Sequence, residues 1–322
     1  MTIAVLGEAI IDLIMSPQGH YHPHLGGSPY NVTVGLARHN ESVIYLSPLS
    51  SDSFGDALHS KLLMEGVHIP MTTRSPRPTS IALITTNAEN EPAYRLYREG
   101  IADKDFSISD IKSQLPSDLT LMHTGSLAIT PSQLPKIREL LRIMQQRAIP
   151  VSLDINVRLG ASVDVDTYLA GIRSLLPFAD IVKASAEDLA PFRLAADAMH
   201  AAEIAFQEQG KGILVLTQGA GETVLFTGNK TFKQEPPTVT DIQDTIGAGD
   251  SFYAAFLACF RRRGLCHLAA IHNPADYIGD SALMDSLRYA NAAAAINLSR
   301  SGCSPPTQAQ VEAFLDETGN RR

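Results

Sequence analysis

The feature that most restricts the fold of this chain is an alternation between residues 119 and 217. "LTLMHTG", "PVSLDIN", "DIVKAS" and "GILVLTQG" are short apolar runs. Between them stand "SQLPKIRELLRIMQQR", "VDTYLAGIRSLLPF" and "AMHAAEIAFQEQG", which read as helices. Strands alternating with helices form a parallel sheet covered on both faces. That predicts an α/β chain with a three-layer α/β/α sandwich at its centre.

Upstream, "IAVLGEAIIDLI" reads as one buried strand that continues past an acid. "SPYNVTVGLARHN" reads as a helix with Ser28 as its cap and Pro29 in its first turn. "DSFGDALHSKLLMEG" reads as an amphipathic helix closed by Gly66. "SIALITT" and "AYRLYRE" flank the polar turn "NAENEP" as a hairpin would, and "TVLFTG" and "TFKQEP" form a second hairpin-like pair. Helices over 252–263, about 280–299 and 307–317 close the chain. Two strand-like segments, about 14–25 and 80–100, do not fit the alternation. A small sheet projecting from the main body would house them, placed as a lid over the carboxyl ends of the strands, where open α/β sheets bind ligands. In "HYHPHL" a strand would put His20, His22 and His24 on one face, either as a metal site or as a lid edge where Pro23 blocks further pairing. With no repeat and no long linker, the 322 residues read as one domain.

Composition removes several function classes. A formal net charge of −8 argues against a nucleic-acid partner, and no polybasic block points to an anionic membrane. Phe252 to Phe260, the longest apolar helical run, is too short to span a bilayer. Cys259, Cys266 and Cys303 form no C-x-x-C pair, and the apolar start carries Glu8 and Asp12 without a basic n-region. A cytoplasmic protein is expected.

"DTIGAGDSF", Asp244 to Phe252, places two glycines and an acid directly before an apolar helix. Free N–H groups at a helix start favour anions, and glycine lets amides approach a ligand closely. Gly247, Ala248 and Gly249 could cradle a phosphate. A carboxylate beside that phosphate repels it unless it has a task, and the natural task is to accept the proton of an attacking hydroxyl, the role open to Asp250. The plainer reading is a turn followed by a helix cap. The spacing lacks the third glycine of a dinucleotide fingerprint and the G-K-[ST] of a Walker A loop.

The whole string resembles the C-terminal signature of the ribokinase-like (PfkB) sugar kinases, and "GGSPYNVTVGLAR", Gly26 to Arg38, resembles their N-terminal one. "GEAIIDLI", "SLDINVR" and "YANAAAAINLSRSG" extend the likeness over nearly the whole chain. The resemblance implies a ribokinase-like fold and transfer of the γ-phosphate of ATP to a sugar hydroxyl, with Asp250 as base and Gly247, Ala248 and Gly249 as anion hole. It implies that Asp12, Gly27 and Asn31 bind the sugar, that Arg158 of "DINVR" contacts substrate or phosphate, and that Tyr97 or Arg98 reaches the sugar from the lid. It places Lys183, Thr217, Gly219 and Asn291 at the nucleotide and Glu187 at Mg²⁺ through water. It assigns Asp244 and the backbone of Ile246 to one half of a monovalent-cation (K⁺) site. A homodimer built through the lid is also implied. "YRLYREGIADKD", "GGSPYN" and "DINVR" look most like bacterial fructokinases, so D-fructose is the expected substrate. 2-Keto-3-deoxygluconate, aminoimidazole riboside and ribose are the rivals, and a catalytically silent sugar-binding regulator on the same fold is the reading from another class.

Overall fold

The computed structural model describes residues 1–16, 18–70, 74–86, 92–228 and 230–319. Its strands are β1 (Thr2–Val5), β2 (Ile10–Met15), β3 (Tyr21–Gly26), β4 (Ser42–Tyr45), β5 (Ser80–Thr86), β6 (Pro92–Tyr97), β7 (Leu119–Gly125), β8 (Val151–Asp154), β9 (Ile181–Ser185), β10 (Ile213–Thr217), β11 (Thr223–Thr227) and β12 (Lys230–Gln234). Its helices are α1 (Ser28–Arg38), α2 (Ser53–Met64), α3 (Ile108–Gln114), α4 (Leu134–Gln146), α5 (Val165–Arg173), α6 (Ala186–Leu189), α7 (Ala198–Gln209), α8 (Ala248–Arg262), α9 (Leu268–His272), α10 (Pro274–Leu298) and α11 (Gln308–Gly319).

Eight strands form the central sheet in the order β12-β11-β10-β9-β8-β7-β1-β4. From β10 to β4 every pairing is parallel, and the β11–β12 hairpin adds an antiparallel edge. Alternate side chains feed the two covering layers. Ile3 and Val5 enter one core with α1, α2, α8 and α10, while Ala4 and Leu6 enter the other with α4, α5 and α7. In α4 the buried Ile137, Leu140, Leu141 and Met144 form a stripe at the 3–4-residue spacing of one helix face. Each such burial contributes about 1.5–3 kcal/mol.

The apolar run at the start is two strands, not one. β1 lies in the central sheet, and the chain turns at Leu6–Ala9 before β2 enters a second sheet of order β3-β2-β5-β6. Backbone pairing at the turn explains the break: Gly7 N–H donates to Ser47 Oγ at 2.9 Å, and Tyr45 O–H donates to Gly7 O at 2.8 Å. The small sheet therefore begins at Ile10. β3 is one of its edges, with Pro23 opposite Leu13. The expected turn at 87–91 lies outside the described residues. Asp12, His24, Ala82 and Leu96 are register partners and share one face, whereas Ile11, Leu25, Ile81 and Tyr97 share the other.

Candidate active site

Helix α8 begins where the sheet presents its carboxyl ends. Gly247 precedes it in the left-handed region at φ 75°, and a Cβ there would lie 2.2 Å from Cys303 Sγ, so the position admits only glycine. Among the described residues the main-chain amides of Gly247, Gly249 and Asp250 have no acceptor in the protein. The Ala248 amide differs from the expectation: it donates to Thr245 O at 3.3 Å, because the turn that delivers the helix closes on itself there. Open amides at a helix start, with the positive end of its dipole behind them, form an anion site.

Asp250 is in the first turn of α8 and is buried. Ser28 donates its hydroxyl to Asp250 Oδ1 at 2.7 Å, and Asn31 donates Nδ2–H to Oδ2 at 2.8 Å. Both donors come from the first turns of α1. Ser28 is therefore not the helix cap: Gly27 is, at φ 106°, and the Ser28 hydroxyl is spent on a carboxylate far away in the sequence. A Cβ on Gly27 would meet Glu8 O at 2.5 Å, which fixes glycine here too. Two donors orient the carboxylate, and each of its oxygens keeps a further lone pair for another donor.

Asp12 shares this chamber. Burial pushes its carboxyl up to about 6, Arg158 opposes that shift and Asp250 adds to it. Asp12 Oδ2 lies against Gly26, where a side chain would approach to 2.4 Å. Arg158 is exposed on the rim, and among the described residues its side chain donates only to its neighbour Val157 O, from Nη1–H at 3.0 Å. Beneath Gly27, Glu8 accepts from the Ser28 amide at 3.3 Å; burial pushes its carboxyl up to about 7 against the pull of Arg98.

The lid residues occupy unlike positions. Tyr97 is 54% exposed and lies on the face opposite Asp12. Arg98 is buried, with Nη1–H donating to Asp103 Oδ2 and Ser80 Oγ, each at 2.8 Å. Neither stands free toward Asp12 in this structure.

Lys183 ends in a buried ion pair: its Nζ is 3.0 Å from each oxygen of Asp154. Asp188 ties the neighbouring loops by accepting from Val157 N at 2.7 Å and Ser185 N at 2.8 Å. Beside it Glu187 is exposed, without a protein partner among the described residues. Thr217 closes β10, and Gly219 makes the turn into β11. Asn291 is buried on α10; its Oδ1 accepts from Thr223 Oγ at 2.8 Å and its Nδ2 is unpaired. The 244–246 loop is stapled to the 297–304 loop. Asp244 accepts from Ile246 N at 3.0 Å and Gly302 N at 2.9 Å, while Asn297 Nδ2–H donates to Ile246 O at 2.8 Å. No group of three or more His, Cys, Asp or Glu among the described residues could by itself hold a metal ion.

The sequence reading brought together Asp250, Asn31, Asp12 and the glycine turn. It missed Ser28 as a partner of Asp250, and it missed Asp154 and Glu8. The one available signal was chemical: an acid at the end of an apolar strand needs a buried partner.

Residues 2–310 match the profile of the pfkB family of carbohydrate kinases. A fructokinase from Rhizobium leguminosarum bv. trifolii is 29% identical over 269 residues, covering 82% of this chain and 81% of that one. The crystal structure of a Xylella fastidiosa fructokinase with bound ATP superposes with a TM-score of 0.89 at 28% identity over 99% of both chains. An aminoimidazole riboside kinase from Salmonella enterica gives 0.79 at 24% identity over 98% of this chain and 99% of that one, a likeness of fold.

Proposed function

This chain belongs to the pfkB family of carbohydrate kinases, and on that premise we propose that it transfers the γ-phosphate of ATP to D-fructose, giving D-fructose 6-phosphate, with Asp250 as general base. The observation that carries the mechanism is the juxtaposition of Asp250, oriented by Ser28 and Asn31, with the open amides of Gly247 and Gly249. Asp250 takes the proton of the attacking sugar hydroxyl as the new O–P bond forms. The bond from the γ-phosphorus to the β–γ bridging oxygen breaks, and ADP departs. The amides at the start of α8 face the charge on the transferring group and lower its cost.

Asp12 receives sugar hydroxyls as an acceptor, Gly27 allows close approach of the ring, and Asn31 serves through Asp250. Arg158 closes on the substrate from the rim. Tyr97 and Arg98 act through the lid, Arg98 from its anchorage on Asp103. Thr217 and Gly219 flank the nucleotide, and the unpaired Nδ2 of Asn291 offers a donor to the base. The exposed carboxylate of Glu187 would hold Mg²⁺ through water. When bound, the ion would offset charge on the phosphate. Asp244 and the carbonyl of Ile246 would border a K⁺ ion. The lid face carrying Leu13, Ile81 and the exposed Tyr97 fits a homodimer contact. Among the described residues no helix is long and apolar enough to cross a membrane. Three unpaired thiols accord with a reducing cytoplasm.

The test is ATP turnover with Mg²⁺ across a panel of sugars: D-fructose, 2-keto-3-deoxygluconate, aminoimidazole riboside and ribose. The highest kcat/KM is expected for fructose. A rival in that place changes the substrate, and turnover of none would leave the silent regulator.

A further inference from the structure

Asp154 and Lys183 are register partners on adjacent central strands, with 1% and 5% of their side chains exposed. The strand positions beside them hold Leu153, Ile155, Val182 and Ala184, all buried and apolar. The sheet itself needs no charge at this level. Taking two ions out of water is expensive, and apolar residues of similar size are often as stable or more so. A pair kept here calls for a reason outside stability.

Its location supplies one. A side chain built on Gly249 would come within 3.5 Å of Lys183 Nζ, so the ammonium lies against the open first turn of α8. Asp154 takes up two of its three N–H groups, and among the described residues the third has no acceptor. Asp250 acts electrostatically on both members. Burial works against the lysine's charge, yet Asp154, Asp188 and Asp250 outweigh it, and its pKa is raised. The cation is thus fixed, dry and at the point where the amides of Gly247 and Gly249 open.

We propose that Lys183, held in place by Asp154, is the fixed cation behind the anion hole and acts on the phosphoryl group during transfer, not on the resting nucleotide. The proposal rests on the kinase reading above. In a loose phosphoryl-transfer transition state charge spreads over the equatorial oxygens, and a preset cation in a low-dielectric site lowers its cost without reorganisation. Asp154 is the positioning residue that keeps the ammonium from swinging away.

The test uses the full chain and the sugar that the wild type turns over. Lys183→Met should lower kcat by about 10²–10³, the loss typical of a single oxyanion donor, with KM for sugar and ATP changed less than about threefold. The double variant Asp154→Leu/Lys183→Met removes the pair without leaving a lone buried charge. It should unfold at no lower urea concentration than the wild type and show the same loss of kcat. A double variant with kcat within threefold of wild type would make the pair structural and overturn the inference. So would a Lys183→Met enzyme with kcat intact and KM for ATP raised. Should neither fold, Asp154→Asn carries the test, with kcat expected at least tenfold down at unchanged KM; wild-type kcat would refute the positioning role. Failure of the kinase reading would show in the wild type, as no turnover of any sugar, whereas failure of this inference shows only in the variants.

Discussion

Asn31→Ala asks whether this residue works on the sugar or on the base. In the structure its Nδ2–H donates to Asp250 Oδ2 at 2.8 Å, in a buried setting and to a carboxylate. A hydrogen bond to a charged group is worth about 1.5–3 kcal/mol. At about 1.4 kcal/mol per tenfold in rate, losing it should cost roughly 10- to 100-fold if the whole effect is felt in the transition state. The assay is steady-state ATP turnover with fructose varied at saturating ATP. We expect the loss in kcat, with KM for the sugar little altered, because the carboxylate remains but is no longer aimed. Ser28→Ala removes the companion donor, at 2.7 Å, and should behave alike. Since both act on one carboxylate, the double variant should cost less or more than the sum of the singles, departing by more than about 0.5 kcal/mol. An Asn31→Ala enzyme with wild-type kcat and a sugar KM raised tenfold or more would refute the reasoning and return Asn31 to the sugar.

Gly27→Ala forces a side chain into φ 106° and within 2.5 Å of Glu8 O, so it should destabilise the fold by at least about 2 kcal/mol, read from urea unfolding. Glu8 and Asp12 have folded pKa values raised by burial, to about 7 and 6 from 4.5 and 3.8. Each holds its proton more tightly when folded, so its contribution is complete below about pH 4 and is lost as pH rises through 6 to 7. The urea midpoint should therefore fall between pH 5 and pH 8, and Glu8→Gln should flatten that fall; an unchanged slope in the variant would remove Glu8 from the account. Asp12→Asn keeps the shape but loses the charge opposite Arg158, and should raise the sugar KM more than it lowers kcat in the same turnover assay.

The alternation from 119 to 217 was legible because buried parallel strands are apolar throughout and the helices between them carry a 3.6-residue stripe, as α4 does. The break between β1 and β2 was not, because the apolar pattern resumes at Ala9 straight after Gly7 and Glu8, and the turn is made by partners on β4 and beyond it: Tyr45 and Ser47. At the site, Asp250 and its glycines were visible as a local string. The Ser28 contact was invisible for the opposite reason. Ser before Pro at a helix start looks like a cap, and only the packing of α1 beside α8 brings its hydroxyl to a carboxylate 222 residues away. Strand alternation puts Arg95 and Tyr97 on one face of β6 but does not say which face looks inward. The register of Asp12 with Ala82, and of Ala82 with Leu96, decides that the Tyr97 face is the other one. Lys183 was read toward the nucleotide, but its buried partner Asp154 sits on the next strand, a pairing that only the register of β8 with β9 supplies.

The central claim is that the Asp250 carboxylate removes the proton from the sugar hydroxyl while open amides at the start of α8 hold the phosphoryl group. Asp250→Asn tests it most directly, through fructose-dependent ATP turnover measured beside fructose binding by calorimetry. Turnover should fall by about 10²–10⁴-fold, the range of a positioned base, while fructose affinity stays within a few-fold of wild type. A variant turning over within tenfold of wild type would contradict the claim.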